Sequence, residues 1–280
     1  MPEEKNLKTS KCTISQLKTQ EMFNNILEQL DKAVSLKEDG LKMETDAVMN
    51  MLSVGIEKIM TQFDEPETRT DYLDFNKSIL PKRGEFLAEN NKVVLKTVSD
   101  EDYEGYMEVF YECSFMKSAF KVGAFKENLW KTFLSDTAAN YTIFDKATGE
   151  YVGYCGIKNL NAENWELVIE LLEKYRSQGY GYHALVAMLN ALTALTGKTI
   201  YRSRVDADNY ISQSLMRKLG AKPNGISEMF IRGEALRKFQ EENKKLIDDK
   251  LKRLAKEFNV APIDLIGHVL EFRIEWKKIL

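Results

Sequence analysis

The run Arg176-Ser177-Gln178-Gly179-Tyr180-Gly181 sets two glycines and an arginine close together, directly after a strand-like segment and directly before a helical one. A helix amino terminus presents unpaired backbone N–H groups and the positive end of its dipole, and glycine permits positive φ and close approach of an anion. The chemistry that suits such a turn is the holding of a pyrophosphate, with Arg176 as a charge at its edge. An ordinary strand-to-helix turn calls for the same flexible residues, so the hexapeptide alone leaves both readings open. Two other phosphate loops fit less well. A dinucleotide fingerprint G-x-G-x-x-G meets Ala184 at its third glycine, and Gly197-Lys198-Thr199 lacks the first glycine of a P-loop, where Leu192 stands. Upstream, Glu166 and Glu170 are an even number of residues apart. An unbulged strand therefore projects both carboxylates to one face, where each also suits a solvated or ion-paired strand glutamate.

These residues need a frame, and the chain of 280 residues is long enough to build one around a sizeable core. Forty basic residues stand against 43 acidic ones for a net charge of −3, which lacks the positive field of a nucleic-acid binder. Cys12, Cys113 and Cys155 are far apart and the histidines are only His183 and His268, so a disulfide framework and a metal site are not expected. Cys113 and Cys155 read as small buried apolar residues. No apolar run approaches the length of a membrane span, and a cytoplasmic protein without membrane or nucleic-acid partners is expected.

Residues 1–85 read as an α-helical N-terminal extension, with helical spacing from Thr13 to Phe63 broken near Asp39-Gly40. The main domain is expected over 86–280, with its boundary between Pro81 and Asn91. Strands are predicted at Lys92–Val98, Ala139–Asp145, Glu150–Lys158, Asn164–Leu172, Thr199–Val205 and Gly267–Trp276. Helices are predicted from the Ser99 cap to Cys113, over Ala124–Leu134, Gly179–Thr196 and Asn209–Leu219, and as one long charged helix over Glu234–Phe258. That last helix suits either packing on the body or a seam with a second copy of the chain, a homodimer. The fold class is α/β (α+β), with a mixed and mostly antiparallel sheet.

The segment Glu166 to Gly181 resembles the fourth strand and acyl-CoA loop of the GNAT superfamily of N-acetyltransferases, whose loop follows (Arg/Gln)-x-x-Gly-x-(Gly/Ala). Downstream, Asn209-Tyr210-Ile211-Ser212, Leu215 and Lys218-Leu219-Gly220-Ala221 resemble the family's N-x-x-S-x-x-(L/V)-x-x-K-L-G-F. The similarity covers about Lys92 to Ala221 and is closest to the branch containing ribosomal-protein N-terminal acetyltransferases.

The resemblance implies acetyl-CoA as co-substrate and a primary amine as acceptor, on a protein N-terminus or a small molecule. It implies that backbone groups near Leu171 and Leu172 pair with pantetheine, that a bulge in this strand aims an N–H at the thioester carbonyl, and that the amides of Ser177, Gln178, Gly179, Tyr180, Gly181 and Tyr182 hold the pyrophosphate. Glu170 and Glu166 become candidates for the base that deprotonates the amine. Met216 stands where many members carry a tyrosine acid. Ser212 can take that part in the N-terminal acetyltransferase branch, though it can equally cap a helix, and Asn209 would orient the pantetheine or the acceptor. Loss of the tyrosine also sustains a second reading, a non-catalytic acyl-CoA-binding or sensor module with a helical protein-interaction domain.

Overall fold

The computed structural model describes Ile14, Leu17 and Lys18 and residues 75–277, apart from 115, 116, 122, 229 and 230. Ile14, Leu17 and Lys18 are helical, and the rest of the two helices expected between Thr13 and Phe63 lies outside the described residues.

Among the described residues, eight strands form one sheet in the order β1-β2-β3-β4-β5-β6-β8-β7. They are β1 Phe86–Glu89, β2 Val93–Thr97, β3 Ala139–Asp145, β4 Tyr151–Lys158, β5 Trp165–Leu171, β6 Ile200–Asp206, β7 Lys222–Glu228 and β8 His268–Glu275. Helices α1 Tyr103–Cys113 and α2 Gly123–Phe133 connect β2 to β3. Helices α3 Tyr180–Thr196 and α4 Tyr210–Lys218 follow β5 and β6, and α5 Gly233–Asn243 and α6 Asp249–Phe258 precede β8. Only β5 and β6 pair in parallel, and every other neighbour is antiparallel. The crossover that parallel pairing demands is supplied by α3.

The sequence expectations hold for six strands and fail at both edges of the sheet. β1 falls within the boundary region that the sequence predicts, since only Leu87 of its four residues is fully buried and alternation over so short a run is faint. β7 contains Pro223 and Gly225, which argue against a strand. The sheet tolerates them because β7 is an edge, and its ladder with β8 is interrupted between Pro223 and Ile226. The expected single helix from Glu234 to Phe258 is two. Asp248 turns out of helical geometry, and its Oδ1 accepts from Leu251 N–H at 2.8 Å as the cap of α6. Leu236, Phe239, Leu251, Leu254 and Phe258 of this pair are buried in the body, with Phe258 edge-on to Phe272 of β8 at 5.2 Å. That packing agrees with the first of the two alternatives for this segment.

Helix α3 buries Ala184, Leu185, Met188, Leu189 and Leu192 on one face of the sheet, while α1 packs on β4 and β5 from the other. Such a two-sided cover explains why β4 is apolar at nearly every position rather than alternating. Among the described residues, no helix is long and apolar enough to cross a membrane.

Candidate active site

The site is built on the one place where the sheet comes apart. β5 and β6 pair at Trp165↔Tyr201 and Glu166↔Arg202 and no further. Beyond that point β5 stays zipped to β4 as far as Gly153↔Leu171, and β6 stays zipped to β8 as far as Asp206↔Val269. Their facing edges therefore leave backbone groups unpaired in a wedge that opens toward the amino end of α3. Leu171 and Leu172 lie at this open end. The Leu171 carbonyl accepts from Arg176 Nε at 2.9 Å, and the Leu172 N–H donates to Val152 O at 3.0 Å.

The turn into α3 carries Ser177 at φ 60° and Gly179 at φ 88°, two left-handed positions close together. The first backbone bond donated in this turn runs from His183 N–H to Gly179 O at 3.1 Å. The N–H groups of residues 177–182 donate no backbone hydrogen bond of good geometry. Successive free amides at a helix start form an anion-binding concavity. Gly181 is small for a different reason. A Cβ there would lie 3.3 Å from Leu215 Cδ2 and 3.5 Å from Ile169 Cδ1, so its absence lets α3 settle against β5 and α4. Lys92 and Lys218 flank this end and, with burial as the larger cause, hold the His183 pKa below its usual value.

The structure gives several loop residues other duties. Arg176 turns away from the free amides and toward α1, where it donates to Cys113 Sγ at 3.3 Å and lies 3.7 Å from Glu112. Cys155 is buried, whereas Cys113 is only partly so. Tyr180 is buried, its hydroxyl donating to Asp145 and its ring lying under Lys92 Nζ at 4.2 Å. Tyr182 is half-buried, with Lys218 Nζ 4.3 Å from its ring centre. Gln178 Nε2 donates to the Lys174 carbonyl.

Glu166 and Glu170 are brought to one face but into unlike settings. The β4–β5 register runs without interruption from Lys158↔Glu166 to Gly153↔Leu171, so the bulge expected in β5 is not there. Part of the reason lies opposite: a Cβ on Gly153 would sit 2.2 Å from the Glu170 carbonyl oxygen, so glycine lets β4 follow β5 closely with no extra residue. Glu166 is buried and tied down, its Oε2 accepting from Arg204 Nε at 2.9 Å and lying 3.3 Å from Arg202. Glu170 Oε2 is out of contact with water and has no hydrogen-bond partner. Burial pushes its pKa up, opposed by Lys158, Tyr154 and Arg176.

That burial comes from an aromatic wall the motifs do not announce. Tyr154 is opposite Glu170 in the β4–β5 ladder. Tyr106 of α1 lies 5.4 Å from Tyr154 between ring centres and stacks on Phe133 of α2 at 3.7 Å. Burial and the nearby Glu170 raise both phenols well above their usual pKa, so they remain protonated. The one clue in sequence was the density of aromatic residues in the α1 and α2 segments.

Asn209 and Ser212 are adjacent at the start of α4. Asn209 Oδ1 accepts from Ser212 N–H at 3.0 Å, so Asn209 is the cap and Ser212 receives it. The Ser212 residue is half-buried and Met216, one turn on, is buried.

Residues 92–222 match the acetyltransferase (GNAT) domain family. Over these residues the chain is similar to the GNAT acetyltransferases, whose members take the acetyl group from acetyl-CoA. Similar solved structures include a GNAT-family acetyltransferase from Bacillus anthracis, 14% identical over 68% of this chain and 98% of that one, with a TM-score of 0.46. They also include the spermidine/spermine N-acetyltransferase SpeG from Vibrio cholerae, 13% identical over 65% and 92%, TM-score 0.44. A third is RimL, described as a ribosomal L7/L12 alpha-N-protein acetyltransferase, 13% identical over 68% and 98%, TM-score 0.45. No curated protein matches by sequence.

Proposed function

We propose that the wedge between β5 and β6 takes the pantetheine arm of acetyl-CoA, that the free amides of residues 177–182 take its pyrophosphate, and that Glu170 receives the proton of a primary amine attacking the thioester. The observation that carries this reading is the combination, at one end of the sheet, of an unzipped parallel pair with a run of unpaired helix-start amides. An alkylammonium must lose a proton before it can attack, and its pKa near 10 makes a base useful at neutral pH. Glu170 suits that role better than Glu166, because Glu166 is held between two arginines while Glu170 has a carboxylate oxygen with nothing to accept from. The departing CoA thiolate, with a thiol pKa of roughly 8.5, needs little help, and Ser212 is the hydroxyl placed on α4 to give it.

The acceptor is a primary amine, on a protein N-terminus or a small molecule. Isothermal titration of the full chain with acetyl-CoA, followed by detection of free CoA thiol on adding amines, tests this. Binding followed by amine-dependent thiol release is the expected result. Binding without release for any amine would favour the acyl-CoA sensor reading, and failure to bind would overturn both.

A further inference from the structure

Lys18 is 2% exposed. Its ammonium is ion-paired with Asp206, 188 residues further along the chain. Ile14 and Leu17 are half-buried and pack against the core as well.

The position of Asp206 gives this pair its meaning. Asp206 is the last residue of β6 and shares a strand face with Arg202 and Arg204, the two arginines that reach Glu166. The parallel register of Trp165↔Tyr201 and Glu166↔Arg202, carried four residues on, sets Asp206 level with Glu170 and on the same face. Those two carboxylates stand on the two lips of the wedge. The turn that follows Asp206 is fixed by Gln213 Nε2, which donates to the carbonyls of Asp206 and Ala207 at 3.2 and 2.9 Å. A primary amine has therefore been delivered, out of water, to one lip of the cleft assigned above to the thioester.

We infer that Lys18 is an acceptor of the protein's own acetyl transfer, modified in cis, an inference that rests on the acetyl-CoA reading of the wedge. Asp206 takes a proton from the ammonium. The neutral nitrogen then attacks the thioester carbonyl, the C–N bond forms as the C–S bond breaks, and CoA leaves as thiolate and is protonated. The products are Nε-acetyl-Lys18, CoA thiol and a proton released to solvent. The new amide has no charge, so the ion pair with Asp206 ends with the reaction.

A salt bridge that merely pins Lys18 predicts none of this. The test is to incubate the full chain with isotopically labelled acetyl-CoA and map the label by tandem mass spectrometry, at several protein concentrations. Spontaneous acylation favours exposed lysines, so Lys18 should be among the slowest to label without catalysis. The expected result is label at Lys18 ahead of the exposed lysines, with a rate constant independent of protein concentration. Lys18→Arg, which keeps a cation for Asp206, should abolish label at that position while binding acetyl-CoA with unchanged affinity. Asp206→Asn should slow labelling by at least tenfold. Label confined to exposed lysines, in a protein that binds acetyl-CoA, overturns the inference and leaves the proposed function standing. Absence of acetyl-CoA binding overturns both.

Discussion

Arg204 Nε donates to Glu166 Oε2 across 2.9 Å, bridging β6 and β5 at the point where their backbone pairing stops. With Arg202 at 3.3 Å, the pair closes the narrow end of the wedge by side chains where the main chain no longer does so. Glu166→Gln removes the counter-charge that two partly buried guanidinium groups share, while Arg202 keeps Glu271 at 3.9 Å. Removing one partner from such a cluster should cost about 3 kcal/mol, the lower end of the range for buried pairs because Arg202 keeps some contact with solvent. Chemical denaturation of the variant beside the parent protein checks the value. A loss under about 0.5 kcal/mol would mean the cluster behaves as surface charge.

Glu170→Gln should act in the opposite direction on stability. The folded state raises this carboxyl above its usual 4.5, so folding binds a proton more tightly than unfolding does. Stability is then greatest below the unfolded pKa and falls as pH climbs through the folded one. The glutamine variant escapes that fall and should melt higher than the parent at neutral pH, with the difference vanishing in acid. Melting curves across pH decide it.

The same substitution removes the proposed base. We expect kcat to drop by about 10²-fold to 10⁴-fold with a smaller change in KM for acetyl-CoA. The acid limb of the parent's pH profile should lie above the ordinary glutamate range and should disappear in the variant. An unchanged limb would assign it to another group.

Gly179→Ala forces a side chain onto a residue at φ 88°, for a cost of about 1–2 kcal/mol if the turn holds its shape. The nearest atom to the new Cβ would be His183 Cδ2 at 3.7 Å, so the strain lies in the backbone. The easy relaxation is rotation of the loop amides, which should weaken acetyl-CoA about tenfold, the equivalent of one charge-assisted hydrogen bond. Titration calorimetry separates that from a change in stability alone.

Burial, with Glu170 adding to it, pushes the Cys113 thiol up to about 12, and burial raises Cys155 further. Neither should be labelled by a thiol reagent at neutral pH in the native state. Peptide mapping after brief exposure checks this, and protection of both keeps them from contributing to an assay that detects CoA thiol.

Much of the frame was legible because its signals are local. The Ser99 cap, the α3 turn and the α4 start each announce themselves within a few residues, and the structure has Ser99 N–H donating to Asp102 Oδ2 at 2.8 Å as a capping box should. Glu170 was legible as a candidate but not as the better one of two. What separates it from Glu166 is Arg202 and Arg204 on one side and Tyr106, Tyr154 and Phe133 on the other, residues gathered from four elements by the topology. The missing bulge shows the reverse limit. A family resemblance carries an expected backbone irregularity, but whether this strand has one depends on the fit of Gly153 against Glu170. Nor could alternation find β7, since Pro223 and Gly225 look like breakers until their position at the sheet edge is known.

The unzipping of β5 from β6 makes the sheet two leaves, β1 to β5 and β6, β8 and β7, joined by a short seam of main chain and one cluster of charge. Such a seam is where the molecule should part first under heat or pull. A substrate laid into the gap and bonded to both edges would act as a stitch, so the protein should gain mechanical unity at the moment it is loaded. Hydrogen exchange along the facing edges of β5 and β6 would read that stitch directly, slowing at the seam and leaving β2 and β3 unchanged.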